Sequence, residues 1–149
     1  MLLSYGAFAQ KVNVIKYSEL AEMMSQENDT TYVVNFWATW CKPCMAELGS
    51  FETIDSTLRQ NKVKVILVNL DFVNEVKSVQ EMIDNRRIGA KVVLLNEPDY
   101  DTWINKISPL WSGAIPATLI INNDRKKRAF YEQPFDYQAL TSEIKKTLK

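Results

Sequence analysis

The sequence predicts an α/β fold: one mixed central sheet with helices on both faces, completed by a C-terminal antiparallel hairpin and a last helix. Three observations carry that expectation. Thr31 to Thr39 and Lys62 to Phe72 are rich in β-branched, aliphatic and aromatic residues, as strands buried on both faces are. Segments with apolar residues three and four apart alternate with strands as far as Ile107, which implies parallel strands joined by helical crossovers. Ala117 to Ile121 and Lys127 to Tyr131 flank the turn residues Asn122-Asn123-Asp124, as the arms of a hairpin do.

The elements follow in order. Val12 to Ile15 reads as a short edge strand. Ser18 is the expected N-cap of a first helix, whose stripe is Leu20, Met23 and Met24 and which ends before Asn28-Asp29-Thr30. The strand from Thr31 leads into a helix with Leu48, Phe51, Ile54 and Leu58 on one face. After the strand from Lys62, Val76, Val79 and Ile83 mark another helix, closing near Arg86-Arg87-Ile88-Gly89. A strand from Val92 to Leu95 and a helix from Tyr100 to Ile107 precede the hairpin. Tyr137, Leu140, Ile144 and Leu148 give the final helix. No repeat and no internal boundary breaks the chain, so residues 10–149 are expected to form one domain.

Composition excludes several chemistries. The chain has no histidine, which removes Ser-His-Asp and Cys-His catalysis and the commonest transition-metal ligand. Two cysteines alone make a poor zinc site, so no metal is expected, and no cofactor beyond the cysteines themselves. Eighteen basic residues balance eighteen acidic ones, so charge gives no case for nucleic acid or an anionic membrane as partner. The run Arg125-Lys126-Lys127-Arg128 is read as a solvated hairpin turn. Residues 1–9, with Ala7-Phe8-Ala9 matching the small-x-small pattern before a signal-peptidase cut, read as the remnant of a secretory signal. They lack a basic start and a full apolar stretch, and a short apolar N-terminus is the other reading.

Trp40-Cys41-Lys42-Pro43-Cys44 stands where the strongest strand turns into a helix. Two intervening residues bring both sulfurs within bonding reach in the first helical turn. Pro43 suits that turn, since its missing N–H would have no partner there. Cys41 then faces the unpaired N–H groups and positive dipole end of the helix, which favour a thiolate. Such settings lower a cysteine pKa from about 8.5 to roughly 3.5–7.5, and the thiolate is the attacking species in disulfide exchange. Lys42 adds a nearby cation, expected to make the disulfide more oxidising. A plain buried disulfide or two buried thiols is the alternative, and the surrounding strand, proline and helix favour the redox reading.

The stretch N-F-W-A-T-W-C-K-P-C resembles the active site of the thioredoxin superfamily, and Gly113-Ala114-Ile115-Pro116-Ala117-Thr118 resembles its second landmark. The resemblance implies a thioredoxin-like fold, a Cys41–Cys44 redox disulfide, and a cis-proline at Pro116 that faces it and helps bind the substrate chain. Thioredoxins of the cytosolic type carry a buried aspartate six residues before the first cysteine, where this chain has Asn35. W-C-K-P-C-M-A-E-L is similar to the extracytoplasmic TlpA/ResA-like group, in which a glutamate in the position of Glu47 lies near the cysteines. Glu47 is thus expected to take the proton of Cys44 with a raised pKa, and Asn35 to be a hydrogen-bonded residue of a buried strand. Gly49 stands where that group usually has proline, so the helix is expected to bend or pack differently there. Trp40, Lys42, Pro43, Ile115 and Pro116 are the expected substrate-binding residues; Trp37 is read as core, and Trp111 as either core or part of that surface.

The implied activity is reduction of disulfides in extracytoplasmic partner proteins, in the bacterial periplasm or cell envelope. A membrane or extracytoplasmic thiol reductant would recharge the pair. One task the resemblance suggests is keeping envelope cysteines reduced, as before haem attachment to cytochromes c. An oxidase or isomerase of the same fold, and a binding module with a static disulfide, are the competing readings.

Overall fold

The computed structural model describes residues 9–149, so the expected secretory remnant lies, but for Ala9, outside the described residues. Six strands form one sheet in the order β1-β4-β3-β2-β5-β6. The strands are β1 Asn13–Ile15, β2 Thr31–Trp37, β3 Val63–Asn69, β4 Lys91–Leu95, β5 Ala117–Asn122 and β6 Lys127–Tyr131. The helices are α1 Tyr17–Met24, α2 Lys42–Leu58, α3 Val76–Arg86, α4 Ile104–Ile107 and α5 Tyr137–Thr147. β1, β4, β3 and β2 run parallel; β5 pairs antiparallel with β2, and β6 with β5. The mixed sheet and its late hairpin are as the sequence predicts.

β2 owes its central place to composition. All seven residues are buried, because each face meets its own core. Val33, Asn35 and Trp37 point towards α2, α3 and α5, where Leu48, Phe51, Ile83 and Ile144 pack. Tyr32, Val34 and Phe36 point to the opposite face, towards Leu20 of α1 and the aromatic group Trp103 and Trp111. Phe36 and Trp111 have ring centroids 4.7 Å apart, and the Trp111 indole N–H donates to the Ala114 carbonyl at 2.8 Å. Trp37 and Trp111 are therefore both core residues, which settles the open reading of Trp111.

Several boundaries differ from expectation, each for a local reason. α1 is capped at Lys16 rather than Ser18: the Glu19 carboxylate reaches back and accepts the Lys16 N–H at 2.8 Å. β2 stops at Trp37 and β3 at Asn69, since Thr39 and Asp71 leave the ladder to bond each other. Lys62, at φ 57°, turns the chain before β3. The expected helix from Tyr100 to Ile107 is a 3-10 turn over Tyr100–Thr102 followed by the single turn of α4. α2 runs unbroken through Gly49, which is exposed with open space where a Cβ would stand. Gly49 does not break the helix, and as a solvent-facing residue it leaves the buried stripe undisturbed. Arg125 is taken up by the Asp29 carboxylate at 2.6 Å and the Leu148 carbonyl, and Arg128 by the Ile107 carbonyl.

Candidate active site

The site forms at the C-terminal end of β2. A turn from Ala38 to Cys41 (Cys41 N–H to Ala38 carbonyl, 3.1 Å) sets Cys41 as the N-cap of α2, in extended conformation. Cys41 and Cys44 are joined as a disulfide. The Cys44 N–H points at Cys41 Sγ from 3.3 Å, so a free donor of the helix N-terminus is aimed at the reacting sulfur. Pro43 fits the first turn of α2 with no N–H to satisfy. Cys41 Sγ also lies 3.8 Å from the Ile115 carbonyl oxygen, and the Ile115–Pro116 peptide is cis. The two sequence landmarks thus meet in space. Trp40 is 70% exposed beside them, while Lys42 and Pro43 face solvent on the first turn.

Behind the disulfide sits Glu47, only 3% exposed. It follows Cys44 by three positions on α2, the spacing of neighbours on one helix face. Its carboxylate accepts from Asn35 Nδ2 at 2.9 Å and from the Phe135 N–H at 2.8 Å. Burial raises its pKa to about 6; the Phe135 and Asn35 donors oppose the rise without cancelling it. Asn35 Nδ2 also lies 3.2 Å from Thr118 Oγ1, while its Oδ1 is buried without a partner. A half-turn of that amide would offer Oδ1 to the O–H of a protonated Glu47. Asn35 is, as expected, a hydrogen-bonded residue of a buried strand, and Glu47 is buried rather than solvated.

Residues 7–129 match the model of the AhpC/TSA family. The chain belongs to the AhpC/TSA family.

Within that breadth, its relatives are thioredoxin-like. The thioredoxin of Rickettsia typhi is 29% identical over 89 residues, 54% of this chain and 84% of that protein. The thiol-disulfide oxidoreductase ResA of Halalkalibacterium halodurans is 29% identical over 90 residues, 60% of this chain and 46% of that protein. A DsbF homologue from Corynebacterium diphtheriae superposes with a TM-score of 0.67 at 19% identity, covering 85% of this chain and 75% of that one. The fold is thioredoxin-like, and the likeness to the TlpA/ResA-like group holds. This AhpC/TSA member is a thiol–disulfide oxidoreductase with a disulfide at its CxxC motif.

Four residues of the site escaped the sequence reading. Asp71, buried after β3, accepts from the Thr39 N–H at 2.8 Å, the Thr39 hydroxyl at 2.6 Å and Asn69 Nδ2 at 2.6 Å. That clasp fixes the turn leading to Cys41. It also anchors the residues that follow Thr39 and Asp71 in the chain, Trp40 and Phe72; Phe72 is 75% exposed. On the other flank, Glu132 accepts from the Ser112 and Ala114 N–H groups, and Phe135 supplies the donor to Glu47. One cavity is lined by none of these residues. It opens at the N-terminal ends of β3 and β4, lined by Asn13, Glu22, Tyr32, Lys64 and Lys91. The exposed apolar side chains Trp40 and Phe72 suit contact with a macromolecular substrate.

Proposed function

We propose that this oxidoreductase works in the reducing direction, on disulfides of extracytoplasmic partner proteins. One observation carries the reading: the buried Glu47 carboxyl, with its pKa raised to about 6, one helical turn from Cys44. Such a group serves the step that releases a reduced partner.

The Cys41 thiolate attacks one sulfur of the partner disulfide, and the other partner sulfur leaves as a thiolate. The partner backbone lies along Gly113 to Ile115, with Pro116, Trp40, Lys42 and Pro43 around the mixed disulfide. Cys44 passes its proton to Glu47 and attacks Cys41 Sγ, and the second partner sulfur leaves. Two electrons have moved to the partner, and Cys41–Cys44 is left oxidised. A membrane-bound or extracytoplasmic dithiol then reduces the pair. The small-x-small residues Ala7-Phe8-Ala9 and the Glu47-containing motif support placement in the periplasm or cell envelope. A task such as keeping haem-attachment cysteines reduced fits that placement.

The test is the equilibrium reduction potential of the pair, read with its redox state in the cell. A couple more reducing than glutathione and largely dithiol in vivo agrees with the proposal. A strongly oxidising couple, held as disulfide in vivo, would replace it with the oxidase reading.

A further inference from the structure

The link between β6 and α5 is five residues long, Glu132-Gln133-Pro134-Phe135-Asp136, and it touches the site twice. At its start, the Glu132 carboxylate holds the loop before Pro116. It accepts the Ser112 N–H at 3.1 Å, the Ser112 hydroxyl, and the Ala114 N–H at 3.2 Å. The same loop is pinned from inside by the Trp111 indole on the Ala114 carbonyl, and Gly113, at φ 96°, makes its turn. At the other end of the link, the Phe135 N–H donates to Glu47 Oε2 at 2.8 Å. The Phe135 ring is buried and meets Tyr131 edge-on at 5.1 Å. Pro134 stiffens the short stretch between, since its φ is fixed.

We propose that Glu132 is a positioning residue that joins partner recognition to the proton acceptor: it sets the loop along which the partner lies and, through Pro134 and Phe135, keeps a donor on Glu47. This rests on the reading of Glu47 as the group that receives the Cys44 proton. The surroundings leave little else to tune Glu47. β2 contributes the neutral Asn35, the link contributes a backbone N–H, and its own helix contributes Cys44; no charged side chain figures among the causes of its shift. Glu132 itself meets the Ser112 hydroxyl and two backbone donors, which hold its carboxyl below the usual range. Tyr131, at the base of the link, donates its phenol to Glu143 of α5, so the far side is braced independently. Loosening Glu132 thus frees the partner loop and the start of the link while leaving that brace in place.

The test uses the full chain and the variants Glu132→Ala and Glu132→Gln. The titration of Glu47 is followed by carboxyl-carbon NMR in the oxidised protein, and KM and kcat are measured for insulin reduction. In Glu132→Ala the Glu47 midpoint should rise by about half a unit or more, since full loss of a hydrogen bond to a charged group corresponds to roughly one to two units. KM for insulin should rise with it by several fold, and Glu132→Gln, which keeps an acceptor, should fall between. A Glu132→Ala protein that melts earlier but titrates Glu47 as wild type does overturns the proposal, and so does a rise in KM with no movement of the midpoint. If Glu132→Ala does not fold, the same two readouts on Glu132→Gln decide. The titration reads protonation directly. Failure of the Glu47 reading would show separately, as a Glu47→Gln variant with an unaltered pH profile of turnover.

Discussion

Replacing Glu47 by Gln should slow the closing of the Cys41–Cys44 disulfide by about 100-fold at pH 7, the low end for removal of a general base. With its pKa near 6, the wild-type carboxyl is roughly nine-tenths ionised at pH 7 and ready to accept a proton. Gln keeps the shape, and it can accept from Phe135 or Asn35, so the fold should survive. Without the base, Cys44 must lose its proton to solvent, and an unassisted thiol does so near pH 8.5. The wild-type rate should thus level off above about pH 6, while the variant climbs roughly tenfold per pH unit to about pH 8.5. Near pH 9.5 the two should agree within a few fold. An aromatic disulfide such as dithiobis(nitrobenzoate) resolves the steps, because reduced protein releases one coloured thiolate on attack by Cys41 and a second when Cys44 closes the ring. The second release should carry the whole deficit. Equal second-phase rates at pH 7, or a deficit that persists at pH 9.5, would refute a proton-accepting Glu47.

Other outcomes follow from the same contacts. Glu47 titrates near 6 in the folded state against an ordinary 4.5, so the folded protein binds the extra proton between those values. Its contribution to stability is full below about pH 4.5 and is lost as pH rises through 6, by about 2 kcal/mol in all. The stability difference between wild type and Glu47→Gln, from urea melts between pH 4 and pH 8, should fall by that amount; a flat difference would count against the buried carboxyl. Asp71→Ala strips three donors of their acceptor and should cost about 2–3 kcal/mol, a fall in Tm of roughly 4–12 °C by calorimetry. Phe72→Ser should raise KM several fold for insulin and less for a small aromatic disulfide; equal effects on both would remove Phe72 from the partner surface.

Much of the fold was legible because its signals are local. β2 and β3 are apolar along almost their whole length, and the Leu48, Phe51, Ile54 stripe can face only one way. The CxxC pair was legible for the same reason, since spacing, proline and helix start lie within a few residues. Glu47 came into view only through the family resemblance, because a buried and a solvated glutamate look alike in a helical stretch. Asp71, Glu132 and Phe135 were out of reach. Their partners stand 32, 20 and 88 positions away, and pairs so distant are set by the completed sheet rather than by local pattern. α4 was misjudged because Trp103 and Ile107 have helical spacing yet serve a broken segment folded over the aromatic cluster.

The central claim is that Cys41 and Cys44 cycle between dithiol and disulfide to exchange disulfides with other proteins. Insulin reduction by dithiothreitol, with wild type compared against the double variant Cys41→Ser, Cys44→Ser, tests it most directly. Wild type should accelerate precipitation of the insulin B chain well above the uncatalysed rate, and the double variant should not. Indistinguishable rates for the two proteins would contradict the claim and leave a static disulfide in a thioredoxin-like frame.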